Sequence, residues 1–183
     1  MTTRPNLLFV FSDQHRWCDL GCAGNNEVVS PHLDAFAGEG IRFDAAYSNC
    51  PLCVPARGTL LTGLHALKHR AVANDLPVDH TLDSLATHLR ESGYRAGYVG
   101  KWHLAGIPRD QAVPPEKRLG FEDWKVRQCS HDYMHPTYHD EEGVEHPCEG
   151  YEPVVQTDLA LEFLRNQKED NPWGLVLSWG PPH

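Results

Sequence analysis

The 183-residue chain predicts an α/β fold, a doubly wound and mostly parallel sheet with flanking helices. Three observations predict it. The apolar runs at residues 6–12 and 172–179 are continuous rather than alternating, as in strands covered on both faces. Stretches with helical spacing lie between such runs, the βαβ order of a parallel sheet. Polar clusters follow the runs, where open α/β sheets bind ligands. At this length one domain with a sizeable core is expected.

Residues 6–12 form the first predicted strand, buried on both faces, and Asp13 falls at its carboxyl end, followed by Gln14, His15 and Arg16. Asp13 alone reads equally as a turn cap. Ser30-Pro31 opens a helix through Leu33, Phe36 and Ala37 that stops at Gly38-Glu-Gly40. Residues 41–47 alternate well enough for a second strand leading to Cys50. Thr81 is the expected cap of a helix with Leu82, Leu85, Ala86 and Leu89, ending near Gly93. Residues 94–99 are the next strand, and Gly100-Lys-Trp-His103 lies beyond its end. From 108 to 153 periodicity fails, and this span is expected to be an irregular excursion. His131, His135 and His139 would line one helix face, but Pro136 within the span favours a solvated loop. An amphipathic helix is expected at 154–167, then a buried strand at 172–179 before Gly180-Pro-Pro-His183. Four strand ends thus place Asp13, the Cys53 loop, Lys101 with His103, and His183 on one rim.

Within Cys50-Pro-Leu-Cys-Val-Pro-Ala-Arg-Gly-Thr-Leu-Leu-Thr-Gly63, Pro55 suits the first position of a helix and Gly63 the residue past its end. Cys53 then lies at the N-terminus, where free N–H groups and the positive dipole end favour an oxyanion and ease thiol ionisation. Arg57, one turn on, leans back toward the same anion. A buried Cys beside a capped helix with a surface Arg is the plainer alternative.

Composition narrows the partners. Sixteen Lys and Arg against twenty-five Asp and Glu give a net charge of −9, which argues against nucleic acid or an anionic membrane surface. The apolar run at 7–11 is too short for a membrane span and lacks signal-peptide flanks, so the chain as given reads as cytoplasmic; a start upstream of Met1 would leave room for an export signal. Twelve His supply acid–base and metal-binding capacity, and the six Cys are expected to be reduced thiols.

Together these residues resemble the sulfatase family of the alkaline-phosphatase-like superfamily. The resemblance rests on Cys53-Val-Pro-Ala-Arg57 with Thr62-Gly63, on the strand leading to Asp13, on Gly100-Lys-Trp-His103 and on Pro-Pro-His183, in that order along essentially the whole chain. It implies an alkaline-phosphatase-like fold truncated at its C-terminal side, with residues 1–183 as the N-terminal part of one catalytic domain. It implies conversion of Cys53 to formylglycine by a maturation enzyme. It further implies a divalent cation, Ca²⁺ by the resemblance, held by Asp13, Gln14 and residue 53, and a small-molecule or saccharide sulfate ester as substrate. Arg57 would orient the formylglycine hydrate, Lys101 would bind the transferring group, and His103 would act as the base that expels sulfate. His183 and Asn74 would contact substrate, although Asn74 reads as well as a turn residue.

Two departures from the family pattern bear on this. Gln14 stands where many sulfatases carry a second Asp, and Gln occurs there in phosphonate monoester and phosphodiester hydrolases and in some sulfatases. The further metal ligands and a second Lys that the family supplies lie beyond position 183, so the piece alone is expected to bind metal weakly and turn over little. Alternatives are therefore a phosphonate monoester or phosphodiester hydrolase, a catalytically inactive fragment, and a zinc module built from Cys18, Cys22, Cys50 and Cys53.

Overall fold

The computed structural model describes residues 4–168 and 171–183. Six strands form one sheet: β1 (Leu7–Asp13), β2 (Arg95–Lys101), β3 (Asp123–Arg127), β4 (Thr137–His139), β5 (Glu145–Pro147) and β6 (Trp173–Pro182). Their order is β1-β6-β2-β3-β4-β5. The first four in that order run parallel, while β3, β4 and β5 pair antiparallel. The helices are α1 (Pro31–Glu39), α2 (Cys53–Thr62), α3 (Ala66–His69), α4 (Leu85–Glu91) and α5 (Glu152–Arg165).

Both faces of the sheet's centre are covered, as the unbroken apolar run of β6 requires. Tyr98 of β2 and Val176 of β6 pack with Val54 and Leu61 of α2 and with an aromatic group of Trp102, Phe121 and Trp124. Their neighbours Val99, Leu175 and Leu177 face the other way, onto Ala160 and Phe163 of α5. The pleat thus assigns alternate residues of one apolar run to two separate cores. Tyr98 and Trp102 meet edge to face at 5.0 Å.

Several sequence expectations are corrected. β1 is a strand, but among the described residues it pairs only with β6 and lies at the sheet edge, with Leu7, Leu8 and Val10 exposed rather than buried on both faces. Residues 41–47 form no strand: Ile41, Phe43 and Tyr47 are 85%, 79% and 91% exposed, and among the described residues no strand pairs with them. Alternation without a partner is not enough to make a strand. The helix expected from Thr81 is α4, capped by Ser84. The Ser84 hydroxyl accepts from the N–H groups of Ala86 (3.0 Å) and Thr87 (3.2 Å), and Thr87 Oγ1 accepts from Ser84 N–H, a reciprocal capping box. Thr81 instead donates its hydroxyl to Asp79 at 2.6 Å in a local turn. The 108–153 span is not wholly irregular, because β3, β4 and β5 lie within it. Trp124 and Val126 of β3 are inward and buried, but they are too few to make a visible period.

Candidate active site

Parallel pairing brings the carboxyl ends of β1, β6 and β2 to one rim, and α2 begins beside them. Cys53 is the first residue of α2, after Leu52 in extended conformation, so Pro55 occupies the third helical position rather than the first. Either place leaves no intrahelical hydrogen bond for Pro to lose. The Cys53 loop is therefore a helix start, not a strand end, and three strand ends converge instead of four. Gly63 closes α2 at φ 70°, donating its N–H to Thr59 O at 2.8 Å.

Asp13, Arg57 and Lys101 form a buried ionic cluster beside Cys53. Arg57 and Lys101 are each 2% exposed. Lys101 Nζ donates to Asp13 Oδ2 at 2.5 Å, and Arg57 Nη2 lies 3.3 Å from the same oxygen. Cys53 Sγ lies 3.7 Å from Asp13 Oδ1. Arg57 Nη1 donates to Lys101 O at 2.7 Å and to Ser178 Oγ at 2.5 Å, and its guanidinium lies over the Phe11 ring. Tyr98 OH and Ser178 Oγ also donate to Lys101 O, at 2.8 and 2.9 Å, so three donors hold the end of β2. Gly100 allows this close approach: with φ 107°, a Cβ there would stand 2.1 Å from Ser178 O.

Two cations against one carboxylate leave the cluster net positive. Burial pushes the Asp13 carboxyl up, but Arg57 and Lys101 outweigh it and hold its pKa below the usual carboxylate range. The Cys53 thiol moves the other way: burial, then the Asp13 carboxylate, raise its pKa despite the two cations. Burial and the Asp13 carboxylate thus work against the easing of thiol ionisation expected at the helix start.

His103, 3% exposed and at φ 59°, follows β2, and neither ring nitrogen has a hydrogen-bond partner among the described residues. Burial, then the nearby Lys101, Arg109 and Arg57 cations, lower its pKa to about 4, so it is a neutral base at pH 7. Asn74 stands at the other side of Cys53, where its Oδ1 accepts the Val54 N–H at 3.1 Å. Its side-chain oxygen therefore serves a donor of α2 that has no partner within the helix. His183 stacks on His131 at 5.0 Å, and its carbonyl accepts from Tyr133 OH at 2.7 Å. The contacts that fix it thus come from the 131–133 loop rather than from the ionic cluster.

Sequence reasoning missed Ser178, Tyr98, Asp75, Arg109 and Glu152. Ser178 had a signal, a lone hydroxyl within an otherwise apolar strand. Glu152, 4% exposed at the start of α5, has its pKa raised to about 7 by burial, against the pull of Lys101 and Arg57. Of the His131, His135 and His139 set, His131 and His135 lie in a loop and His139 on β4, so no helix face unites them.

The expected metal ligands are only partly assembled. Asp13 and Cys53 adjoin, whereas Gln14 is exposed at φ 63° and the Asp13 carboxylate is engaged by two cations. Among the described residues no three His, Cys, Asp or Glu are grouped to hold a metal ion. Ca²⁺ takes six to eight oxygen ligands, more than these positions supply, so the residues here do not by themselves fit it. The same finding removes the four-cysteine zinc reading: Cys18, Cys22, Cys50 and Cys53 are free thiols that form no metal cluster.

Comparison with known proteins decides the family, because the sulfatase family profile matches residues 5–183. The chain belongs to the sulfatase family. An ulvan-active sulfatase of Formosa agariphila is 39% identical over 183 residues, covering 99% of this chain and 36% of that protein. An N-acetylglucosamine-6-O-sulfatase of Bacteroides thetaiotaomicron is 30% identical over 185 residues, covering 100% of this chain and 31% of that protein. A structure solved in complex with its substrate D-glucosamine-2-N,6-O-disulfate superposes with a TM-score of 0.87 at 29% identity, covering 99% of this chain and 35% of that one. This sulfatase chain therefore spans about a third of the length of the curated relatives it matches and corresponds to their N-terminal part. Its fold is the alkaline-phosphatase-like sulfatase fold, in part.

Proposed function

We propose that the chain carries the nucleophile-bearing part of a sulfuric ester hydrolase that cleaves saccharide sulfate monoesters, with Cys53 matured to formylglycine. The observation that carries this reading is the net-positive Asp13–Arg57–Lys101 cluster at the start of α2, touching Cys53 and accompanied by a buried neutral histidine. The hydrated aldehyde at this position would supply a hydroxyl that attacks sulfur as the bond from sulfur to the sugar oxygen breaks, with the hydroxyl's proton passing to that leaving oxygen. The family generally uses Ca²⁺ as well, but its shell needs ligands beyond these positions, and no step here runs through it.

The chain's own residues divide the work. The positive dipole end of α2 and the Arg57 guanidinium stabilise negative charge at residue 53 and its hydroxyl. Lys101, on the other side of Asp13, binds an oxygen of the transferring sulfuryl group. His103 takes the proton of the second hydroxyl; as the C=O bond re-forms, the C–O bond to sulfate breaks and sulfate leaves with that electron pair. His183 at the outer rim would meet the leaving sugar oxygen.

The test is chemical. In a host with the maturation enzyme, the tryptic peptide holding Cys53 should carry an aldehyde in place of the thiol, and Cys53→Ala in the full-length enzyme should abolish hydrolysis of a sulfate ester. An unmodified thiol throughout, or undiminished turnover in the variant, would defeat the reading. Faster cleavage of a phosphonate monoester than of the matching sulfate would assign the site to the other branch of the superfamily, as Gln14 would permit.

A further inference from the structure

Beside His103 lies a carboxylate that the proposed chemistry has not used. Asp75 Oδ1 is 3.7 Å from His103 Nε2. Arg109 grips Asp75 with its fork, Nε to Oδ1 at 2.6 Å and Nη2 to Oδ2 at 2.8 Å. The Arg109 hydrogen bonds hold the Asp75 pKa below the usual range, so Asp75 is a carboxylate at neutral pH. Both partners of the close approach have left-handed backbone, φ 68° at Asp75 and 59° at His103. That conformation is uncommon for residues with a side chain and persists where the surroundings enforce it, often at functional sites. The preceding residue, Asn74, is tied to the start of α2 through Val54 N–H. The 74–75 segment therefore links the nucleophile's helix to the base.

We infer that Asp75, clamped by Arg109, is a positioning residue that sets the tautomer and orientation of His103, an inference resting on the role of base proposed for that histidine. A carboxylate facing Nε2 favours the tautomer with its proton on that nitrogen. Nδ1 is then bare: both ring nitrogens are buried without a hydrogen-bond partner among the described residues, and the Asp75 carboxylate 3.7 Å from Nε2 is the charge that distinguishes them. The proton leaving the second hydroxyl goes to Nδ1, and Asp75 steadies the imidazolium that forms without itself taking a proton. Arg109 prevents Asp75 from rotating away and keeps it ionised.

The test uses the full-length enzyme with ¹⁵N-labelled histidine rings, the His103 signals being identified by His103→Gln. In the parent, Nδ1 should resonate as a bare nitrogen and Nε2 as a protonated one at pH 7. Asp75→Asn suits positive φ and should fold normally. It should abolish that preference and lower kcat about 100-fold, the lower end of what a positioned base contributes, with KM unchanged. Arg109→Lys, which keeps charge but not the fork, should retain the tautomer and lose less kcat. Unchanged ring signals and unchanged kcat in Asp75→Asn, with formylglycine present, would overturn the inference and leave the sulfatase reading intact. A tautomer that shifts in Asp75→Asn, in a protein with no aldehyde at residue 53 and no sulfate ester turnover, would uphold the positioning of His103 while defeating the reading of the reaction.

Discussion

Arg57 shows how one side chain serves both stability and chemistry. It donates to the end of β2 and to β6, covers Phe11 of β1, and faces Asp13, so it ties three strands to the start of α2. Removing one partner of a buried ion pair leaves charge and donors unpaired. Arg57→Met is expected to lower the unfolding free energy by about 3–5 kcal/mol in urea titrations. A loss below about 1 kcal/mol would mean that Lys101 alone satisfies Asp13 and that Arg57 is free to serve substrate. The Arg was legible as a residue aimed at an anion. Its second partner set was not, because Ser178 and the Lys101 carbonyl come from positions distant in sequence.

At the scale of elements, the rim depends on β2 and β6 lying closer than side chains would permit. Gly100 is the reason, and Gly100→Ala should be severe: its Cβ would meet a backbone carbonyl, and φ 107° is unfavourable for Ala. A loss of more than about 3 kcal/mol is expected in thermal or urea unfolding, with Lys101 displaced from Asp13. A variant of parent stability would show that the strands can separate there at little cost. Strands β2 and β6 and helices α1, α2 and α5 were legible, because periodicity and caps are local. The strand expected at 41–47 was not real, since pairing is decided by neighbours rather than pattern. Strand β3 was invisible for the converse reason: two buried residues in five suffice once β2 offers an edge. Asp75 and Arg109 gave no signal, for their meaning lies in a salt bridge across 34 positions.

For the whole molecule, two buried groups impose opposite pH dependences. Folding raises the Glu152 pKa from 4.5 to about 7, so the native state holds a proton that the unfolded chain releases. Stability therefore falls by ~3 kcal/mol from this group as pH rises from about 4.5 to 7. Folding lowers the His103 pKa from 6.5 to about 4, so the unfolded chain binds the extra proton, and stability rises by ~3 kcal/mol as pH rises from about 4 to 6.5. The two largely offset below pH 6.5. Glu152→Gln removes the falling limb, and its melting temperature relative to the parent should improve from about pH 4.5 to 7 and then level off. A difference that stays flat with pH would show that Glu152 titrates normally.

The position of β1 carries a different consequence. Its outer backbone edge is unpaired by any described strand, and Leu7, Leu8 and Val10 stand exposed along it. Apolar sheet edges of this kind recruit further strands. A solution of this chain by itself should be colloidally fragile, with self-association that steepens with concentration and begins at the amino-terminal ribbon, on the strand that also ends in Asp13.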